Sequence, residues 1–370
     1  SIAEHYGGMD LDFNTGVLFA EANAQGFSFA TTLGCQTSIG SLPIVFYGNE
    51  EQKTKYLPGI ASGQLKASYC LTEPGAGSDA NSGKTTAQLT EDGKSYTING
   101  QKMWITNGGF ADVFIVFAKI DNDKNLSAFI VEKSYPGLSI GAEEEKLGIK
   151  GSSTVQVFFN DCLVPKENLL GKRGGGFKMA LNILNTGRMK LAAGGIGGSK
   201  FAHTKAIEYA NQRVQFREPI ANFGAIKHKL GEIAVKTWMH ESALYRTGKQ
   251  IDIKTQNLIA QGQSASEAKI NAVREYAIEA ALLKFTCSEV MDYSIDETLQ
   301  IYGGMGYAVE TGIEMGYRDS RILRIYEGTN EINRMLSQAE LGRRIAKTKE
   351  LSFRPAAQMV RNHIIKRIFF

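Results

Sequence analysis

Ser95-Tyr96-Thr97-Ile98-Asn99 alternates polar with apolar side chains, and Val113 to Ile120, Leu126 to Val131 and Val155 to Phe159 continue as short apolar-rich runs. All four read as strands. Asp92-Gly93, Asn99-Gly100 and Asp121-Asn122-Asp123 between them are turn sequences. Outside this block, which extends from about Ala67 to Pro165, the spacing is helical. Val17 to Ala24 and Gln52 to Leu57 carry it on the N-terminal side. Beyond Gly171-Lys172-Arg173-Gly174-Gly175-Gly176 it covers roughly 177 to 211, 222 to 250, 264 to 293 and 330 to 346, the layout of a four-helix bundle. Helices, then strands, then helices predict an α+β multi-domain protein, and no GxGxxG opens a helix after a strand as a Rossmann unit requires. We expect an N-terminal helical domain over 1–66 that is incomplete, a central β-barrel-like domain over 67–170, and the helical bundle over 171–341. A basic tail or partial C-terminal extension follows over 342–370. Gly194 to Gly198 weakens the first long helix, since each helical glycine costs about 1 kcal/mol relative to alanine. If helical, that stretch lets a backbone or ligand come close.

Composition removes several classes of function. Among 370 residues 43% are hydrophobic and 22% charged, ordinary for a globular protein, and no apolar run reaches the length of a membrane span. The net charge of +4 is modest and no basic stripe is interleaved with aromatics, so nucleic acid is not an expected partner. Cys35, Cys70, Cys162 and Cys287 are far apart and read as buried thiols in a reducing compartment. The histidines have no metal-ligand spacing, and there is no GxSxG elbow. Ser1 opens the sequence without a Met or signal-like segment, and residues upstream are expected.

Arg324-Ile325-Tyr326-Glu327-Gly328-Thr329-Asn330-Glu331-Ile332-Asn333-Arg334 places a carboxylate at a turn, with a glycine after it and Thr329 or Asn330 able to cap a helix. Such a carboxylate is either a solvated loop acid or, if it enters a pocket, a base whose pKa rises by desolvation. Tyr69-Cys70-Leu71-Thr72-Glu73-Pro74-Gly75-Ala76-Gly77-Ser78-Asp79 is a Pro-Gly loop that can offer hydroxyls and amides to a flat or phosphorylated group. Trp104 and Thr106, two apart on a strand, pair a large ring with a hydroxyl, which suits an isoalloxazine edge as well as it suits sheet core.

These stretches, together with Trp104-Ile105-Thr106-Asn107-Gly108-Gly109 and Gln300-Ile301-Tyr302-Gly303-Gly304-Met305-Gly306, resemble the acyl-CoA dehydrogenase family from Ser1 to about Leu341. Ile39-Gly40, Gly148-Ile149-Lys150-Gly151-Ser152 and Asn222-Phe223-Gly224-Ala225-Ile226 are most similar to its very-long-chain branch. The resemblance implies FAD-dependent oxidation of an acyl-CoA thioester to trans-2-enoyl-CoA in fatty-acid β-oxidation, with Glu327 as the α-proton base and hydride passing to flavin N5. Tyr69, Cys70, Leu71, Thr72, Gly77 and Ser78 match the segment along the flavin, and Trp104, Ile105 and Thr106 the strand beside its ring. Arg213, Phe216, Gln300, Gly303 and Gly304 match contacts made from a neighbouring subunit, and Thr329 and Glu331 match FAD contacts just past the base. Ser78, Asn185, Arg188, Tyr326, Glu327 and Gly328 match the substrate side. Gly187 stands where a minority of the family carries its base, which leaves Glu327 in that role.

The same resemblance implies a homodimer or dimer of dimers and an electron-transferring flavoprotein as acceptor. The compartment would be cytoplasmic in a bacterium and the mitochondrial matrix in a eukaryote. Two positions depart from the common pattern of the family: Arg217 replaces a glycine, and Gly224 replaces a frequent glutamine that helps hold the diphosphate. Thr31, Gly34 and Cys35 stand where shorter-chain relatives carry bulkier groups, and small residues there leave room for a long acyl chain. After Leu341, basic residues alternate with Ile, Val and Phe, as in an amphipathic segment that docks on the protein or touches a membrane surface. An oxidase reoxidised by oxygen, or a catalytically idle acyl-CoA or flavin scaffold, would carry the same motifs.

Overall fold

The computed structural model describes residues 1–348, so the part of the basic tail from Lys349 onward lies outside the described residues. Four helices open the chain: α1 (Phe13–Asn23), α2 (Ser28–Thr37), α3 (Leu42–Tyr47) and α4 (Glu50–Ala61). Capping sets the starts of α1 and α4: the Asp12 side chain accepts from Thr15 N, and Asn49 and Gln52 cap each other reciprocally.

Eight strands follow: β1 (Ala67–Cys70), β2 (Thr86–Leu89), β3 (Ser95–Thr106), β4 (Val113–Ile120), β5 (Ser127–Glu132), β6 (Leu138–Glu143), β7 (Thr154–Pro165) and β8 (Leu169–Leu170). They pair in the order β6-β7-β3-β2-β4-β5-β8, with β1 also on β4. Strand β4 holds the layers together. Val113, Ile115 and Phe117 join Leu42, Ile44, Tyr56 and Met179 in a core shared with the helices, whereas Phe114, Val116 and Ala118 join Tyr96, Ile98, Val157 and Phe159 in a core inside the sheet. Burial on both faces is why β4 reads as an apolar run rather than an alternation.

The barrel expectation is corrected here. β6 and β8 end the path without pairing, so the sheet is open. One edge of β4 is divided between β1, at Val113 to Val116, and β2, at Lys119 and Ile120. The sheet therefore splits into two leaves that fold over a common apolar core, and side-chain packing joins them where a barrel would use strand pairing. Asn99-Gly100 is also not a turn. It lies inside β3 at a register shift, because a Cβ on Gly100 would stand 2.5 Å from Thr85 Oγ1 and only glycine admits that approach.

The remaining elements are α5 (Gly176–Gln212), a small hairpin of β9 (Val214–Gln215) and β10 (Glu218–Pro219), α6 (Gly224–Ala260), α7 (Ala265–Glu275), α8 (Ala277–Tyr302), α9 (Gly304–Tyr307), α10 (Ile313–Ser320) and α11 (Asn330–Thr348). The single helix expected over 264 to 293 is two, broken at Tyr276, and α11 continues through the boundary expected at 341. Gly194 to Gly198 is helical, with Gly195, Gly197 and Gly198 closely packed and Gly194 open to a cavity. A Cβ at Gly197 would meet the Glu21 carbonyl of α1 at 2.2 Å, and one at Gly198 the Met291 sulfur of α8 at 2.8 Å. No described helix is long and apolar enough to cross a membrane.

Candidate active site

Between α10 and α11 the chain makes a tight turn in which Glu327 has φ 57° and Gly328 φ 83°. A left-handed glutamate is uncommon and costs of order 1–3 kcal/mol, so it persists only where its surroundings hold it. Here they do. Arg188 Nε, from α5, donates to the Glu327 carbonyl at 3.3 Å, and Lys284 Nζ, from α8, donates to the Gly328 carbonyl at 2.7 Å. Asn333 Nδ2 donates to the same Gly328 oxygen at 2.7 Å, and Thr329 Oγ1 caps α11 by accepting from Ile332 N at 3.3 Å. Arg188 is itself held by Asn185 Oδ1 at 2.8 Å.

The turn aims the Glu327 side chain into a cavity of about 1430 Å³, its open mouth included, lined by α1, α2, α5, α8 and α10. Glu327 Oε2 is buried and has no hydrogen-bond partner. Burial raises the Glu327 carboxyl to about 7, against the pull of the Arg188 and Lys284 charges. Gly187 makes room for it, since a Cβ there would lie 2.7 Å from Oε2. Thr31, Gly34, Cys35, Thr106 and Tyr326 share the cavity wall, and Phe19, Phe27, Phe201, Met291 and Ile313 make much of it apolar. Near the carboxylate, the Tyr69 hydroxyl is buried without a partner, and its ionisation is suppressed by burial and then by the Glu327 charge. A poised base beside partnerless polar groups in an apolar slot is the arrangement expected of a site for proton abstraction.

The strand beside the cavity departs from the simple alternation read in the sequence. A register shift falls between Lys102 and Ile105, Trp104 takes φ 60°, and Met103 N donates to Thr72 O at 2.9 Å. This bulge turns Ile105 into the core and leaves Trp104 51% exposed. The 71–79 loop is anchored to β3 by a buried ion pair, Lys102 Nζ to Glu73 Oε1 at 2.7 Å, and nothing lies within 4 Å of where a Cβ would stand on Gly75 or Gly77. An open indole, the adjacent Thr106 and an unobstructed glycine loop fit a flat aromatic group with polar edges, as a flavin is.

The other expected residues lie in the apolar cores, on the 71–79 loop and on the outer surface. The side chains of Cys70 and Ile105 pack in the sheet core and that of Leu71 in the core shared with the helices, so only their backbones remain for a ligand. Strand geometry decides this, since successive side chains point to opposite faces. Gly77 and Ser78 are exposed on their loop, and Glu331 is exposed at the start of α11. Arg213, Phe216, Gln300, Gly303 and Gly304 are all exposed and none lines the cavity, with Phe216 89% exposed at φ 53°. The sequence reading missed Lys284, Asn330 and Asn333. Lys284 did carry a signal: Ala280, Ala281, Lys284, Cys287, Ser288 and Met291 form one buried helical stripe containing a lysine.

Family models for the N-terminal, middle and C-terminal domains of acyl-CoA dehydrogenase match residues 1–64, 68–162 and 174–342. A probable acyl-CoA dehydrogenase of Bacillus subtilis (strain 168) is 51% identical over 335 residues, covering 90% of this chain and 56% of that protein. The mitochondrial very long-chain specific acyl-CoA dehydrogenase of Mus musculus is 41% identical over 343 residues, covering 90% and 50%. This chain thus spans about half the length of these curated relatives. The crystal structure of an acyl-CoA dehydrogenase from Bacillus anthracis complexed with FAD superposes with a TM-score of 0.91 at 51% identity, over 95% of this chain and 61% of that one. With three family domains in consecutive order along one fold, the chain belongs to the acyl-CoA dehydrogenase family.

Proposed function

We propose that this chain oxidises an acyl-CoA thioester to the trans-2-enoyl-CoA with FAD as cofactor, and that Glu327 removes the α-proton. The observation that carries this reading is the Glu327 carboxylate, with one oxygen buried and partnerless and a pKa raised to about 7, facing an apolar cavity. A base poised near neutral pH takes a proton efficiently without being protonated most of the time. An α-carbon is a weak acid even beside a thioester, so donors at the developing enolate oxygen are needed, each worth about 3 to 4 kcal/mol in acyl chemistry. The Glu327 N–H makes no hydrogen bond within the described residues and is available as one of them. Bound FAD supplies the hydride acceptor. Trp104, Thr106, Thr72 and Ser78 would hold its ring portion, with Tyr69 beside it, and Thr329 and Glu331 its remainder near the base.

Arg213, Phe216, Gln300, Gly303 and Gly304 are read as contacts to the cofactor of a second copy, in a homodimer or dimer of dimers. Their exposure supports this, since a phenylalanine this bare is usually covered by a partner. We take residues 1–66, 67–170 and 171–341 as three units, with α5, α6, α8 and α11 as the four helices of the last. The small residues Thr31, Gly34 and Cys35 on the cavity wall support a long-chain acyl group, and an electron-transferring flavoprotein is the proposed acceptor.

The test is anaerobic titration of the purified flavoprotein with acyl-CoAs of increasing length. Bleaching of the flavin band, greatest with long chains, is expected, and no bleaching at any length overturns the reading. Rapid oxygen consumption with acyl-CoA alone would instead make it an oxidase.

A further inference from the structure

Lys284 is an expensive residue to keep where it is. It is 1% exposed in the middle of α8, and burying an ammonium has a large desolvation penalty unless the group is paired and hydrogen-bonded. No carboxylate lies within ion-pair distance of it among the described residues. Its bonds go instead to the Gly328 carbonyl at 2.7 Å and to Asn330 Oδ1 at 3.0 Å, and Asn330 Nδ2 returns to α8 through Ser288 Oγ at 2.9 Å. Helix α8 thus offers a socket into which the residues after the base are plugged. On the other side, Arg188 holds the carbonyl of the base itself. The two carbonyls of the left-handed pair are each gripped by a cation from a different helix.

We propose that Lys284 is a positioning residue for Glu327: its ammonium, held inside α8, fixes the Gly328 carbonyl and so the direction of the base. The inference rests on the reading of Glu327 as the α-proton base. Groups facing Glu327 come from several elements: Arg188 on α5 and Lys284 on α8 are cationic, while Tyr69 on β1 and Cys35 on α2 are neutral and buried and the adjacent Tyr326 is neutral and half-buried. Burial lowers the Lys284 ammonium to about 8, the Glu327 charge pulls it back up, and Arg188 and Glu331 act on it with opposite signs. Among the described residues, only these two cations oppose the upward push of burial on Glu327. Removing either leaves the base protonated to higher pH. Lys284 differs from Arg188 in its acceptor: it holds the carbonyl that follows the base, at 2.7 Å, where Arg188 holds the carbonyl of the base at 3.3 Å.

The experiment follows the pH dependence of anaerobic flavin reduction by a saturating long-chain acyl-CoA in the FAD-loaded protein. Lys284→Met should move the acid limb up by about one pH unit, the lower end of what a nearby opposite charge supplies. Lys284→Arg, which keeps the charge, should stay close to the parent limb. Lys284→Gln is a second neutral variant that keeps a donor for Gly328, and it should show the upward shift even if Lys284→Met does not fold. Asn333→Ala, which removes a neutral donor from the same carbonyl, should slow reduction without moving the limb. If folded, FAD-loaded Lys284→Gln or Lys284→Met shows the parent limb, the inference is overturned. If the limb moves as much in Asn333→Ala, the charge has no special part and the inference is likewise overturned. Failure of the parent protein to reduce its flavin would instead sink the underlying assignment of Glu327.

Discussion

The turn at Glu327 and the surface that carries Arg213, Phe216, Gln300, Gly303 and Gly304 were named by the same motif matching, yet they are opposites physically. At the turn, each strained backbone unit is held by a buried partner from another helix, and the key carboxylate faces a slot. On the surface, the named residues are exposed, and Phe216 is almost fully bare. The groups that hold the turn at the base all come from one chain. The other end has the character of half an interface, which fits a cofactor site closed by a second copy.

The largest effect that would sharpen this contrast is at the base. Glu327→Gln should lower the rate of flavin reduction by acyl-CoA by roughly 10³-fold or more, with FAD still bound, as removal of a positioned base does. Stopped-flow absorbance under anaerobic conditions reads it, and a variant within tenfold of the parent would break the assignment. In the parent, the rate should rise as pH passes upward through about 7, where the carboxyl loses its proton. Next comes Gly187→Ala. Its new methyl would stand 2.7 Å from Oε2 and push the carboxylate aside, costing roughly 10- to 100-fold in the same rate. An unchanged rate would mean that the carboxylate is not held where it is seen.

On the bare surface the effect should be smaller and of a different kind. Arg213→Ala should weaken FAD retention by about tenfold through one lost charged hydrogen bond, with the rate of the loaded fraction little changed. The flavin-to-protein absorbance ratio after gel filtration measures this, and full retention would break the composite-site picture.

The smallest effect is thermal. Because the folded-state pKa of Glu327 is raised to about 7 from 4.5, its buried charge destabilises the fold above pH 7, less so between the two values and not at all below both. Glu327→Gln should therefore raise stability by about 1–3 kcal/mol at pH 8, seen as a few degrees in Tm, and change little at pH 4. An effect of equal size at pH 8 and pH 4 would show that the carboxylate is solvated.

Much of this was legible in the chain itself. The helix-strand-helix order, the strands β3, β4, β5 and β7, the glycine stretch of α5 and the carboxylate before α11 follow from spacing and turn chemistry, which act over a few residues. The sheet's failure to close did not, because it depends on β1 and β2 dividing one edge of β4. Nor did the bulge that sends Ile105 inward and leaves Trp104 in the open, since Thr72 diverts the strand from outside it.

Sequence by itself determined which carboxylate the chain offers and on what kind of turn, because both are local. Tertiary structure decided that this carboxylate is desolvated and flanked by two cations, and so what its proton affinity is. Arg188, Lys284 and Glu327 lie far apart along the chain, and the energy of a buried charge depends on what packing brings within a few ångströms of it.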